Sequence, residues 1–409
     1  MNNLWPLYLL IITFPLSIAA QTIASTLVLL VLTWFVFRNR ASGYIRERLE
    51  FLIRDFKLPL LLGFLLLAWL IVTSLINEKN PESAPFHFFV GSLPWLLLPA
   101  MVFFAYGSLT EESWGRLEKL GRYVVIVWAL LALSQFIFGW QLDNFTITSD
   151  VPRPRGLYPH PLTLAYAALF IWPLAVSMVF YFPSKWSSWA WFLSGGVIIV
   201  LTQSRTVQAV ALLILSWRLF LTWKGRTRVV VTLSAIGFLV AVMATDNFVS
   251  EKFRKTFSSE GVDRFSSYPD DRLAFWHVHA LMISEKPILG HGVDLNTKYR
   301  EPYYAALGLQ DFPKKYEAHN MFLQIAAEGG LVGLGLFLGW LGWHFRRGFL
   351  VESSRFARET AIQTLVAFTL GGLTQNVFQD YEVRVGLTLF LVLLWLLPVR
   401  PRECSHRHG

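Results

Sequence analysis

The sequence predicts an all-α, polytopic membrane protein with about 12 transmembrane helices and one large loop on the non-cytoplasmic side. Hydrophobic residues make up 54% of the 409 residues, and the mean hydropathy is +0.47. The apolar residues occur in runs of about 20, the length that crosses a bilayer. Only one long polar segment, residues 246–319, interrupts these runs. Together these values exclude an ordinary soluble domain.

The apolar runs give the positions of the expected spans. They lie near 4–20, 22–37, 58–77, 88–106, 123–140, 161–182, 189–203, 206–222, 228–245, 320–344, 360–378 and 384–399. The first run has no charged segment before it and a second run follows at once, so we expect a span and not a cleaved signal peptide.

Four parts of the chain follow from this pattern. We expect a transmembrane bundle over residues 1–245 and a helical cap loop over 246–319, which cannot lie in hydrocarbon because its backbone groups would lose their partners. The last three spans occupy 320–399, and a basic tail occupies 400–409.

The distribution of positive charge predicts the orientation. With both termini in the cytoplasm, the short inner segments and their borders hold 21 Lys and Arg, against 5 in the short outer loops. Positive residues favour the cytoplasmic side, so the cap should face away from the cytoplasm. This location of charge also explains the net charge of +9 without nucleic-acid binding.

The cap should contain helices. Asp270 and Asp271 suit a helix amino terminus, where the helix dipole favours negative charge. Pro287–Gly292 should form a turn, and Tyr299–Leu307 a further short helix. The first cap helix should end before the turn and present one face through residues spaced at helical intervals, namely Arg272, Trp276, His279 and Ile283.

Several arginines are candidates for binding an anion on the outer face. Arg205 lies between two apolar runs, where an ionisable group needs a partner or a water-filled cavity, although it could also reach the interface from a helix end. Arg153 and Arg155 alternate with proline in an outer loop, and Arg272 begins the cap helix. Guanidinium groups bind phosphate oxygens in pairs. A lipid-linked phosphate or pyrophosphate is therefore the expected ligand, with solvated arginines as the alternative.

His319 is the candidate for proton transfer. Histidine accepts a proton near neutral pH, and this one directly precedes an apolar helix whose free N–H groups favour anions. A structural histidine is the alternative, and His160, His277, His279 and His291 have similar or weaker claims. Asp380 closes a short outer loop, where it could pair with an arginine, orient a sugar hydroxyl or be solvated.

No cofactor is expected. Cys404 is the single cysteine, no Cys/His spacing is typical of a zinc site, and glycine-rich nucleotide loops are absent from the sequence.

These residues give the chain a resemblance to the bacterial O-antigen ligase family, within the superfamily that also contains O-antigen polymerases. The resemblance depends on Arg272–Trp276, Pro287–Gly292, His319–Gln324 with Glu328-Gly329-Gly330, Thr202–Arg205 and Arg153–Gly156.

The resemblance implies a membrane-embedded, GT-C-like glycosyltransferase of the bacterial inner membrane, with its site facing the periplasm. Such an enzyme moves a glycan from an undecaprenyl-pyrophosphate carrier to the lipid A–core oligosaccharide, without metal or nucleotide and with inversion. His319 would be the general base, and Arg205 and Arg272, with Arg155, would stabilise the leaving pyrophosphate.

Three other functions remain open from the sequence. A surface-polysaccharide polymerase would use a second lipid-linked glycan as acceptor. A protein O-oligosaccharyltransferase has a related signature but usually a longer chain. A non-catalytic transporter of an anionic lipid would need charges at mid-span, and the predicted spans are nearly free of them.

Overall fold

The computed structural model describes residues 4–16, 18–39, 42–77, 97–143, 146–148, 153–222, 225, 271–293, 297–310, 317–350, 354–378 and 380–396. Helices account for most of this part of the chain, which confirms the all-helical character. One short antiparallel pair of strands is the exception. The predicted span at 228–245, the start of the cap at 246–270, and the tail with Cys404 lie outside the described residues.

The helices and strands follow in order along the chain, and residues 97–105 are also helical. Their bounds are α1 Trp5–Thr13, α2 Ile18–Arg38, α3 Gly43–Ile76, α4 Glu111–Phe138, β1 Gln141–Asp143, β2 Thr146–Thr148, α5 Pro161–Tyr181, α6 Trp186–Leu201, α7 Arg205–Thr222, α8 Asp271–Glu285, α9 Thr297–Ala306, α10 Met321–Leu350, α11 Arg355–Gly372 and α12 Tyr381–Trp395.

Six helices among the described residues are long and apolar enough to cross a membrane: α2, α3, α4, α5, α7 and α10. The apolar helices α6 and α12 are shorter. Large apolar side chains such as Phe37, Phe64 and Phe138 are exposed on α2, α3 and α4, as expected for a lipid-facing surface. The chain is thus a multi-pass membrane protein, and the number of about 12 spans stays a prediction.

Helix α5 forms the centre of the bundle. Its residues from Thr163 to Met178 are all buried. It packs against α6, α7, α11 and α12. A helix that is apolar all round lies in a protein core or in a membrane, and here four neighbouring helices cover it. The amino-terminal end of α5 therefore reaches the middle of one face of the bundle.

Two predicted boundaries differ from the structure. The first run, 4–20, is two helices, because α1 ends at Thr13 and Pro15 has no N–H group to continue it. Helix α3 begins at Gly43 and has 34 residues, so most of the predicted inner segment 38–57 is helical. At 1.5 Å per residue α3 is about 50 Å long, which exceeds the hydrocarbon thickness of about 30 Å.

The cap helix is confirmed as α8, and Trp276, His279 and Ile283 of its predicted face do pack inward, although other residues form the centre of the buried face. Arg272, Trp276 and Ile283 are only half-buried, and of the predicted face His279 alone is fully buried. The observed face is set by packing against α9 and α10, contacts that periodicity within α8 cannot show. Its apolar cluster consists of Ala274, Phe275, Val278, Met282, Tyr304, Leu309 and Ala327.

The predicted turn at Pro287–Gly292 is confirmed, and it lies against a break in α10. His291 N donates to Ala327 O at 2.8 Å, and Gly292 N donates to Glu328 O at 2.8 Å. Leu331 N donates to Pro287 O at 2.7 Å. The break is at Gly330, whose φ of 64° and ψ of −169° are not helical. The two glycine-containing motifs thus form one backbone-to-backbone contact.

The end of α3 holds this contact from the other side. Trp69 Nε1 donates to Gly329 O at 2.7 Å, and Val293 N donates to Ser74 Oγ at 2.9 Å. Asn77 Nδ2 donates to Gly290 O at 3.2 Å. The bonds of Ser74 and Asn77 join the cap turn to α3, and the bond of Trp69 joins α3 to the break in α10.

Gly330→Ala should destabilise the protein by more than about 2 kcal/mol, because the φ is left-handed and a Cβ would lie 2.1 Å from Ile288 O. Thermal unfolding in detergent measures the loss as a fall in Tm. Gly335→Ala is the matched control in the same helix, since its Cβ would meet nothing within 4 Å. Equal Tm values for the two variants would contradict this account of the break.

Candidate functional site

Two strained residues mark the loops on one face of the bundle. Gln203, with φ 53°, and His319, with φ 45°, are the positive-φ residues other than glycine in the described ranges. Gln203 lies just before α7, and His319 lies just before α10. Such a conformation costs about 1–3 kcal/mol and is found at helix ends and turns and at functional sites. Both loops also contain residues that the sequence singles out.

Three hydrogen bonds, here called the clamp, join residues 317–320 to residues 373–376. Asn376 Nδ2 donates to Glu317 Oε2 at 3.0 Å. His319 Nδ1 and Gln375 Oε1 are 3.0 Å apart. Asn320 Nδ2 donates to Leu373 O at 3.1 Å. The clamp fixes His319 between the end of the cap and the turn that follows α11.

The first turn of α10 positions His319 from the other direction. Asn320 Oδ1 accepts hydrogen bonds from the backbone N–H groups of Phe322 and Leu323 at 3.0 and 3.1 Å, as a helix N-cap does. Gln324 Oε1 accepts from Ala318 N at 3.0 Å, and Gln324 Nε2 donates to the buried Glu328 at 2.8 Å. The backbone on both sides of His319 is thereby held.

His160 caps the amino terminus of α5. Its Nδ1 accepts a hydrogen bond from Leu162 N at 3.1 Å, so the proton of the neutral ring is on Nε2. Partial exclusion of water lowers the pKa of His160, and the positive charges of Arg153, His319 and Arg155 lower it further. These interactions bring the four residues into one electrostatic neighbourhood.

Tyr166, one turn into α5, connects this neighbourhood to the other predicted residues. Its hydroxyl lies 3.1 Å from Thr374 Oγ1, in the turn that contains the clamp. Arg272 and Asp380 lie within electrostatic range of the same hydroxyl, and Thr206 is also near it. Tyr166 therefore lies near the amino-terminal ends of α7, α8 and α12.

Arg153 has a structural contact that the sequence does not predict. Its Nε and Nη2 donate to Thr202 O at 2.9 and 2.6 Å. Thr202 is the C-cap of α6, where the carbonyl groups of the last turn need donors. Arg153 thus supports the tight turn that carries Gln203 and Arg205, and its role in binding an anion stays a prediction.

Arg155 lies on a fixed loop. Gln135 of α4 accepts from Gly156 N at 2.8 Å and donates to Gly156 O at 2.8 Å. The Arg155 backbone N–H donates to the same Gln135 oxygen at 3.2 Å, and its Nη1 donates to Pro159 O at 3.2 Å. Arg155 is half-exposed beside His160, which suits contact with a ligand.

The other three predicted residues all lie at the amino-terminal ends of helices. Arg205 is exposed at the first position of α7, Arg272 is half-buried at the second position of α8, and Asp380 is the N-cap residue of α12. Helix amino termini favour anions, and two of these three carry an arginine. This arrangement can bind a phosphate group beside a histidine.

Two of the other candidate histidines are structural. His279 is fully buried, with Nδ1 2.7 Å from Phe275 O. His291 is also buried, with Nε2 2.9 Å from Met282 O. His277 is exposed on the cap.

Sequence reasoning missed Tyr166, Gln135 and the clamp residues Gln375 and Asn376. The signal for the last two was present, because Thr374-Gln375-Asn376 is a polar triplet near the end of the predicted span 360–378. Polar residues at membrane depth face the bundle interior or a cavity. Gln135 carries the same signal as a polar residue inside the predicted span 123–140, whereas Tyr166 lies within an apolar run and carries none.

Comparison with known proteins gives a consistent result. Residues 189–338 match the family model described as O-Antigen ligase. A protein of Rickettsia conorii named as a candidate polysaccharide ligase is 28% identical over 251 residues, which cover 60% of this chain and 53% of the relative. A protein of Rickettsia felis with the same kind of name is 26% identical over 250 residues, with the same coverage of 60% and 53%.

The match confirms the resemblance that the sequence motifs indicate. It includes Arg205, Arg272 and His319, whereas Arg153, Arg155 and Asp380 lie outside the matched residues. The chain spans about half the length of these two relatives.

Burial lowers the pKa of His279 to about 4, from about 6.5 in an unfolded chain. Between these two pH values the unfolded chain binds a proton at this histidine that the folded protein does not bind. The free energy of unfolding should therefore decrease as the pH falls from about 6.5 towards 4. His279→Asn keeps a donor for Phe275 O without this titration. Between pH 7.5 and 4.5 we expect the wild type to lose about 1–3 kcal/mol more than the variant, measured by thermal unfolding.

His277→Asn, at the exposed neighbouring histidine, is the control and should follow the wild type. Equal losses in all three proteins would show that His279 does not titrate in this way.

Proposed function

With the O-antigen ligase match over residues 189–338 as the premise, we propose that this protein is an O-antigen ligase. It transfers O-antigen polysaccharide from undecaprenyl pyrophosphate to the lipid A–core oligosaccharide during lipopolysaccharide biosynthesis. The reaction takes place at the periplasmic face of the bacterial inner membrane. The observation that carries this proposal is the convergence of Arg205, Arg272 and His319 of the matched segment on one face of the bundle.

The division of the chain into parts belongs to this proposal. The bundle at 1–245 and the last spans at 320–399 hold the lipid-linked substrates, and the cap at 246–319 covers them on the periplasmic side. The basic tail at 400–409 is cytoplasmic. The contact between the cap turn and the break in α10 supports a cap that is fixed to the bundle.

The donor is bound through its pyrophosphate. Arg205 and Arg272 provide guanidinium groups at two helix amino termini, and Arg155 provides a third on the loop that Gln135 fixes. Guanidinium groups stay charged at any physiological pH and match phosphate oxygens in pairs. They stabilise the negative charge that develops on the pyrophosphate as it leaves. Arg153 supports this arrangement through Thr202.

The chemical step is a single displacement with inversion. An acceptor sugar hydroxyl attacks the anomeric carbon, a new C–O bond forms, and the bond from that carbon to the pyrophosphate oxygen breaks with its electron pair. His319 takes the hydroxyl proton. Pyrophosphate is a good leaving group, so no general acid, metal or nucleotide is needed. Asp380, which like Arg272 lies within electrostatic range of the Tyr166 hydroxyl, orients a sugar hydroxyl.

His319→Ala should lose about 10²–10⁴-fold in transfer rate and still bind the carrier, because only the general base is removed. Donor binding and glycan transfer are measured on detergent-purified variants, with excess chelator and no nucleotide in the assay. His277→Ala, which removes an exposed histidine of the cap, should leave both unchanged. If His319→Ala transferred glycan at nearly the wild-type rate, His319 would not be the general base. Loss of wild-type transfer in chelator would contradict metal independence.

In the same assay, Arg205→Ala and Arg272→Ala should weaken carrier binding as well as transfer. Lysine at either position should restore only part of the loss, because an ammonium group lacks the paired donors of arginine. The matched control is Arg116→Ala, at the exposed start of α4. Normal carrier binding by both alanine variants would contradict their proposed role.

A further inference from the structure

Gln375 is a buried amide beside the histidine of the site. It has 8% of its surface exposed and lies in the turn between α11 and α12. Its Oε1 is 3.0 Å from His319 Nδ1, within hydrogen-bond distance. The two residues are 56 positions apart in sequence, so this contact exists only through the tertiary fold.

The contact determines which ring nitrogen of His319 is basic. An amide oxygen can only accept, so Nδ1 must carry the proton when it bonds to Gln375 Oε1. In the neutral ring the lone pair is then on Nε2, the atom on the opposite edge. Without such a partner an imidazole exchanges between its two neutral forms, and each nitrogen is basic for only part of the time.

The surrounding contacts limit the movement of both side chains. The other two bonds of the clamp flank the pair: Asn376 Nδ2 donates to Glu317 Oε2, and Asn320 Nδ2 donates to Leu373 O. The ring of Phe275 lies 5.5 Å from the His319 ring, centroid to centroid. His319 is therefore held along one edge by Gln375 and against Phe275 of the cap.

The charges near His319 come from several elements. His160 at the start of α5 and His279 of α8 both interact with it electrostatically. Glu317 is two residues away on the same segment, and Arg153 and Arg155 share the neighbourhood of His160. Gln375 is neutral, so it orients the imidazole without adding a charge of its own.

We propose that Gln375 is a positioning residue that holds the His319 Nδ1–H, so that Nε2 of His319 faces the acceptor hydroxyl as the base. The proposal rests on the proposed function for the identity of the base. It adds a residue outside the matched segment 189–338, on the turn between the last two described helices.

The test compares two changes at Gln375. Gln375→Glu keeps an acceptor and adds a negative charge, which favours protonated His319. The pH midpoint for modification of His319 by diethyl pyrocarbonate, measured by peptide mass spectrometry, should rise by about 1 unit. The acid limb of the transfer rate should move by the same amount. Gln375→Leu keeps the approximate volume and removes the acceptor, so transfer should fall about 10–100-fold with carrier binding unchanged.

Gln310→Glu, the same chemical change at an exposed cap residue, is the control and should leave the His319 midpoint in place. An unchanged midpoint in Gln375→Glu would overturn the inference, and so would full transfer by Gln375→Leu. If Gln375→Leu fails to fold, Gln375→Glu alone decides the question.

The modification midpoint does not depend on transfer, so the two proposals fail separately. A shifted midpoint together with normal transfer by His319→Ala would leave Gln375 in control of the His319 proton and would refute the base. If the modification midpoint is unchanged in Gln375→Glu and His319→Ala is inactive, His319 remains the general base and the role of Gln375 is refuted.

Discussion

The hydrogen-bonded clamp between residues 317–320 and 373–376 is the contact on which the site depends. It joins the end of the cap to the turn after α11, and that same turn contacts Tyr166 at the amino-terminal end of α5. One hydrogen bond contributes about 0.5–1.5 kcal/mol net, so the three together are comparable with the cost of the strained backbone at His319. Further constraint comes from α10, which is capped by Asn320 and fixed at Gly330 by the cap turn.

This arrangement separates two kinds of motif. The glycine-containing segments at Pro287–Gly292 and Glu328–Gly330 are the most recognisable part of the sequence, yet they build a backbone contact in which a Cβ at Gly290 would lie 2.4 Å from Glu328 O. The residues proposed for the chemistry lie elsewhere, at the starts of α7 and α8 and just before α10. The backbone contact between the glycine-containing segments fixes the positions of the cap turn and α10, and the charged side chains lie separately, at helix ends.

The sequence predicts the parts of this molecule that depend on local pattern. Apolar runs predicted α5, α6 and α7, and acidic residues followed by helical spacing predicted the cap helix α8. His319 was selected because it is titratable near neutral pH and precedes an apolar helix. Features that depend on a distant partner could not be predicted. The buried face of α8 is set by α9 and α10, Arg153 is held by Thr202 49 residues away, and Gln375 meets His319 56 residues away. Periodicity within one helix contains no information about these contacts.

The central claim is that the helix ends around His319 form one site for a lipid-linked pyrophosphate. The most direct measurement is a cryo-electron microscopy structure of the full chain with a non-hydrolysable undecaprenyl pyrophosphate analogue. The account predicts phosphate density within about 3 Å of the Arg205 and Arg272 guanidinium groups, with the sugar end directed towards His319. Phosphate density that contacts neither arginine, or that lies on the opposite face of the bundle, would contradict it.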